Sequence, residues 1–191
     1  MGNLAVAGQR LTAAFLNQYY GQADTAAQTV TAATQQPLTT SYSIPANEPV
    51  VGSAYQVFFA GTGVWGSTQQ LLALTFVVQG IVVVNTINGI AAAAFPVSAG
   101  FRYAGYAEFV VASTGPAGTI LASLNYTFSE TANAVNPGTA STNTISVADS
   151  NSSPATIDTT AAIPVLVKAG WANTTGAPTI SNRKTIFRKI T

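Results

Sequence analysis

The chain of 191 residues has no cysteine, no histidine and a single methionine, and only 7% of its positions are charged. With no cysteine there is no disulfide, so the fold must be held by buried apolar surface and hydrogen bonds. The missing histidines and cysteines also remove the commonest general base, the thiol nucleophile and the usual zinc ligands. Six carboxylates remain: Asp24, Glu48, Glu108, Glu130, Asp149 and Asp158. A glycosidase-like pair needs two of them within roughly 5–10 Å. Glu108 and Glu130 could approach across a hairpin, but Glu108 alternates with Arg102 and reads more simply as a polar-face residue. Asp149 and Asp158 flank SNSSPATI without the spacing of an EF-hand, and turn formation explains both. GTGVWG joins strands rather than opening a helix, so it offers no helix dipole to a phosphate. The residues point to no catalytic site, no metal site, no cofactor and a non-enzymatic role.

An ordinary soluble domain is about 25% charged. At 7% charge and 48% hydrophobic residues, a lone monomer would be poorly solvated and prone to associate. An obligate oligomer, or a protein set in a larger assembly, is the expected state. A net charge of +1 gives no case for nucleic acid as a partner. Arg183, Lys184, Arg188 and Lys189 do cluster near the C-terminus, but they share a strand with Ile186, Phe187 and Ile190. They read as a solvated face or as gatekeepers of an edge. The apolar run Leu71–Val84 falls short of the ~20 residues of a membrane helix and is broken by Gln79-Gly80. No membrane span is expected, and no basic region followed by an apolar run marks a secretory leader.

What the chain does have is strands. Ser53–Val84 is the stretch around which the rest is organised. Tyr55, Val57 and Phe59 alternate on one face, and GTGVWG is expected to turn the chain. Leu72, Leu74, Phe76 and Val78 then alternate against Leu71, Ala73, Thr75 and Val77. Both faces of this second strand are apolar, which predicts cover on both sides, either inside a sandwich or at a subunit contact. Trp65, Leu71 and Val77 are the candidate contact residues. For Trp65 a core or contact position is preferred over an exposed platform for a sugar ring.

Phe101, Tyr103, Ala107, Phe109 and Val111 form one face of a long strand. Ile120, Ala122, Leu124, Tyr126 and Phe128 form one face of the next, and Ser113–Gly118 joins the two as a hairpin. Glu130–Thr160 reads as a long exposed polar loop with a short strand at Thr144–Val147. Strands follow at Ile163–Trp171 and Thr179–Ile190. The count is about eight antiparallel strands with almost no helix, an all-β, jelly-roll-like sandwich.

The beginning of the chain differs. Leu11, Phe15 and Tyr19 fall at i, i+4 and i+8 with Leu16 alongside, the spacing of a short helix that Thr12 could cap. Such a helix either docks into a neighbouring chain or folds back on its own sandwich. The polar run that follows reads as an extended arm or a first edge strand, its pairing limited by Pro37 and Pro45. Two regions are therefore expected: an arm over residues 1–45 and a sandwich over 46–191.

Several segments carry a resemblance. GQRLTAAFLNQYY and GQADTAAQTVTAATQQ near the start, SIPANEPVVGSAYQV, GTGVWGSTQQLL and the closing AGWANTTGAPTI are together similar to virion proteins of tailed bacteriophages, particularly actinobacterial phages and prophages. The arm departs from that pattern in carrying Gln and Ala where a more charged helix would be expected. The resemblance implies a virion component, often a homotrimer, and leaves its place on the particle open. The leading expectation is capsid decoration with the major capsid protein as a partner, and the helically spaced Leu11, Phe15, Leu16 and Tyr19 are then the docking residues. The alternative is a minor tail or fibre protein that meets the host surface through a glycan.

Overall fold

The structure, a computed structural model, describes residues 22–25, 27–68, 71–86, 100–130, 144–151 and 153–191. The helix expected around Leu11, Phe15, Leu16 and Tyr19 lies outside these residues. Thirteen strand segments are described: β1 (Gln22–Asp24), β2 (Gln28–Val30), β3 (Gln36–Pro37), β4 (Tyr42–Ile44), β5 (Ala54–Val64), β6 (Leu72–Val78), β7 (Ile81–Asn85), β8 (Gly100–Ser113), β9 (Gly118–Glu130), β10 (Thr144–Ser150), β11 (Ala155–Ile157), β12 (Ile163–Trp171) and β13 (Thr179–Lys189).

They form two antiparallel sheets packed as a sandwich. The larger runs β1-β13-β5-β8-β9-β10, with β2 also on β13 and β11 also on β9; the smaller runs β3-β12-β6-β7, with β4 also on β12. β1 and β2 follow one edge of β13, and β3 and β4 follow one edge of β12. Each pair therefore behaves as one interrupted strand. Counted so, the chain alternates between sheets in jelly-roll order, with β9, β10 and β11 added beyond β8.

The period-two faces are where alternation places them. Phe101, Tyr103, Ala107, Phe109 and Val111 on β8 are buried, as are Ile120, Ala122, Leu124, Tyr126 and Phe128 on β9. Two aromatic groups fill the space between the sheets. Trp65 meets Phe101 at 5.0 Å and Trp171 edge-on at 5.4 Å between ring centroids. Tyr55 stacks on Phe109 at 5.2 Å and on Phe187 at 6.1 Å, and Phe187 stacks on Tyr42. A buried polar clasp ties the sheets together. The Thr86 hydroxyl donates to the Leu74 carbonyl and accepts from the Leu74 amide and the Tyr126 hydroxyl.

Four expectations need correction. First, residues 22–45 are not an arm outside the sandwich. Val30, Leu38, Tyr42 and Ile44 are core residues, and the Val30 and Ala32 carbonyls accept the Trp171 indole and backbone N–H groups. The interruption between β3 and β4 is itself satisfied: Leu38 and Thr39 amides both donate to the Val167 carbonyl, and the Val167 amide donates to the Thr39 hydroxyl. The sandwich therefore includes the strands of residues 22–44, ahead of the expected start at residue 46.

Second, GTGVWG is not a turn, because Gly61–Val64 complete β5. Gly61 and Gly63 stand opposite Tyr103 and Phe101. A Cβ on Gly61 would meet the Tyr103 hydroxyl and the Ser181 carbonyl; on Gly63 it would meet the Phe101 ring and the Thr179 carbonyl. Glycine is used here for close approach.

Third, within the polar stretch from Glu130 to Thr160 the strand expected at Thr144–Val147 is present but longer, and a second one follows it. β10 pairs with β9 from Thr144 to Ser150, and β11 pairs further along the same edge. Fourth, the segments outnumber the eight expected, because short pieces β1–β4 and β11 pair only with distant strands. β6 is buried over most of both faces, Thr75 and Val77 included. The β6–β7 turn is the two-residue Gln79-Gly80 with φ of 52° and 78°, the positive values that suit a hairpin of natural twist.

Candidate interaction surface

The face of the larger sheet that points away from the core carries an ordered pattern. Residues that face each other across the ladders form rows running across the strands. Ile190 on the chain end, Ala54 on β5, Val110 on β8 and Leu121 on β9 form an apolar row. Three of its members are large and exposed, Ile190 at 46%, Val110 at 43% and Leu121 at 49%.

The next row is polar and hydrogen-bonded from strand to strand. Arg188 donates through Nε and Nη2 to Gln56 Oε1 at 3.0 and 2.7 Å. Gln56 Nε2 donates to Glu108 Oε2, and the Ser123 hydroxyl donates to Glu108 Oε1, both at 3.3 Å. Asn125 Nδ2 in turn donates to Ser123 Oγ at 3.4 Å. Both carboxylate oxygens of Glu108 are thus occupied within the row.

A second apolar row follows, with Ile186, Phe58 and Tyr106 facing one another; Tyr106 is 38% exposed. At the border of this row the Lys184 ammonium lies 5.9 Å from the Phe58 ring centroid, within cation–π range.

The bulge in β13 creates this arrangement. The register shifts between Asn182 and Lys184, so Arg183 is an extra residue, and beyond it the phase of the strand reverses. Thr185 and Phe187 then face the core while Lys184, Ile186 and Arg188 face outward. The basic cluster is therefore mostly an outward face. Its last member, Lys189, reaches Glu48 at 3.4 Å, where the Tyr55 hydroxyl also donates to Glu48.

The acidic residues considered for chemistry are separated or engaged locally. Glu108 is level with Ser123, whereas Glu130 is level with Phe101. Seven residues of strand divide them, roughly 23 Å, too far for a carboxylate pair. Asp158 accepts from the Thr160 hydroxyl and amide, which hold its carboxyl below the usual range. Asp149 accepts from the Ser150 amide. Among the described residues no group of three or more potential metal ligands comes together.

Of the contact candidates, Trp65 and Val77 are buried and Leu71 is 38% exposed. Trp65 is a core residue of the chain itself. The docking candidates Leu11, Phe15, Leu16 and Tyr19 lie outside the described residues. Sequence reasoning did not single out Phe58, Tyr106, Val110 and Leu121 as a surface. The signal was present as large apolar residues in the outward phase of otherwise clean alternations.

No helix among the described residues is long and apolar enough to cross a membrane. Compared with known proteins, the chain matches no family model, no curated protein and no solved structure.

Proposed function

We propose that this chain is a non-enzymatic structural protein of a bacteriophage particle, a trimeric capsid-decoration protein held to the major capsid protein by its N-terminal segment. The observation that carries the reading is the jelly-roll order of the two sheets, an architecture used repeatedly in viral shells and lectins. A fold alone does not assign a role. Two further features support the reading: the likeness of the N-terminal and central segments to phage virion proteins, and a charge content suited to a protein covered by partners. The proposal puts the protein in the virion, with Leu11, Phe15, Leu16 and Tyr19 seated on the capsid.

The test is location. Purified particles carrying a C-terminal tag on this chain should show it on the capsid shell by electron microscopy, in groups of three. Particles that lack the protein altogether would refute the virion assignment. Label confined to the tail would favour the second reading, a tail or fibre protein binding a host glycan. The feature that favours this second reading is Tyr106, exposed beside the amides and carboxylate of Gln56, Glu108 and Asn125.

A further inference from the structure

The outward face of the larger sheet has the pattern of a surface meant to be covered. Two apolar rows flank one polar row, and the polar row satisfies itself: Arg188 on Gln56, Gln56 and Ser123 on Glu108, Asn125 on Ser123. Removing such a row from water strands few donors or acceptors, whereas removing unpaired ones is costly. A row awaiting a polar ligand would instead hold its groups open. The apolar rows supply what an interface core uses, aromatic and aliphatic side chains with little charge.

The dimensions also fit a protein partner. Across β13, β5, β8, β9 and β10 the face spans four inter-strand gaps, roughly 19 Å. The three rows run from the level of Val110 to that of Tyr106, and the same face continues past Ala104 to the level of Arg102, eight residues in all or roughly 26 Å. The projected area is about 500 Å², and side-chain relief raises the accessible area toward the ~800 Å² per partner of a stable interface.

From these observations we infer that the outward face of the larger sheet is the interface between copies of this chain, with Tyr106 near its centre, Leu121 in the apolar row at one end and Arg183 at its rim. The inference develops the oligomeric part of the proposed function by assigning the contact to a face, and it stands apart from where the protein sits on a particle. A second copy fits better than a foreign protein because the low charge belongs to the whole chain, which needs cover wherever it is made.

The experiment uses the full chain. Light scattering on the wild type should give an oligomer at micromolar concentration. Tyr106→Lys and Leu121→Lys should each weaken association at least tenfold while circular dichroism and melting temperature show a folded protein. A cysteine-free background allows an independent reading that needs no destabilising charge. In Tyr106→Cys the thiol should react with a maleimide at least tenfold more slowly in the oligomer than after dilution to monomer.

A wild type that stays monomeric overturns the inference, as does an oligomer untouched by either lysine. If the lysine variants fail to fold, equal labelling rates in oligomer and monomer overturn it. A monomer retained on a polysaccharide matrix through Tyr106 would also overturn it, giving the face to a glycan. An oligomer built on this face but absent from particles would sink the virion reading alone.

Discussion

Two truncations separate the fold from the segment that precedes it. Deleting residues 1–21 removes none of the described residues. Deleting residues 1–36 also removes β1, β2 and the first residue of β3. The second cut takes away the buried Val30 side chain, whose full burial is worth roughly 1.5–3 kcal/mol. It also takes away the Val30 carbonyl that accepts the Trp171 indole N–H at 3.2 Å in the core. A buried donor left without a partner costs about 1–3 kcal/mol. The loss is then on the order of 4 kcal/mol, before counting the exposed edge of β13. For a domain of this size each kcal/mol moves Tm by roughly 2–4 °C, so the longer truncation should melt roughly 8–16 °C below the shorter. Thermal melting by circular dichroism reads this directly. Particle co-sedimentation of the shorter truncation reads docking separately, and on the proposed function it should fail to bind. If both truncations melt within about 2 °C of the full chain, the reasoning that places residues 22–36 inside the sandwich is wrong; the 2 °C margin is what roughly 1 kcal/mol would produce.

Replacing Trp65 with alanine should cost about 3–5 kcal/mol, since the indole packs on Phe101, Phe128 and Trp171; a urea midpoint near that of the wild type would contradict its place in the core. Gly63→Ala should cost about 1–3 kcal/mol by overpacking, because its methyl group would strike the Phe101 ring and the Thr179 carbonyl; equilibrium unfolding measures it, and a neutral result would show that β13 can shift. Alkali should unfold the protein. Burial raises the Tyr126 hydroxyl to about 12 and also raises Tyr42, Tyr55 and Tyr103. The folded state thus favours the neutral phenols, and this stability is full below the ordinary tyrosine value near 10. It is lost as pH climbs through 12, so phenolate absorbance should rise together with the loss of near-ultraviolet dichroism; a rise that precedes unfolding would refute the burial of these groups.

The strands that could be read in advance are those whose signal is local. β8 and β9 carry strict alternation over more than ten residues, and the phase of Phe101, Tyr103, Phe109, Leu124 and Phe128 alone assigns their buried face. β1–β4 carry no such signal. Their Thr- and Gln-rich pieces are two or three residues long, and what makes them strands is an edge of β12 or β13 more than a hundred residues later. Gly61 and Gly63 were misleading for a related reason. Glycine commonly marks a turn, but here it makes room for rings from β8, which only the register brings opposite. The outward surface was half legible: Tyr106, Glu108 and Val110 could be put on the second face of their strand. Their alignment with Phe58, Gln56, Ala54 and Leu121 depends on register and on the bulge at Arg183, neither of which local pattern fixes.

The added strands widen the outward face of the larger sheet. The jelly-roll part of the larger sheet is four strands wide, from the β1/β2 edge to β8, three gaps or roughly 14 Å. β9 and β10 add two gaps, roughly 10 Å more. β9 serves both sides, giving Leu124, Tyr126 and Phe128 to the core and Leu121, Ser123 and Asn125 to the outward face. β10 places Val147 partly buried against the core. Its outward Ser146 hydroxyl bonds with that of Thr127, extending the same cross-strand pattern of paired polar groups. The extension therefore works on both sides: β9 and β11 add buried residues to the core, while β9 and β10 widen the outward face that a second copy would cover on the inference above.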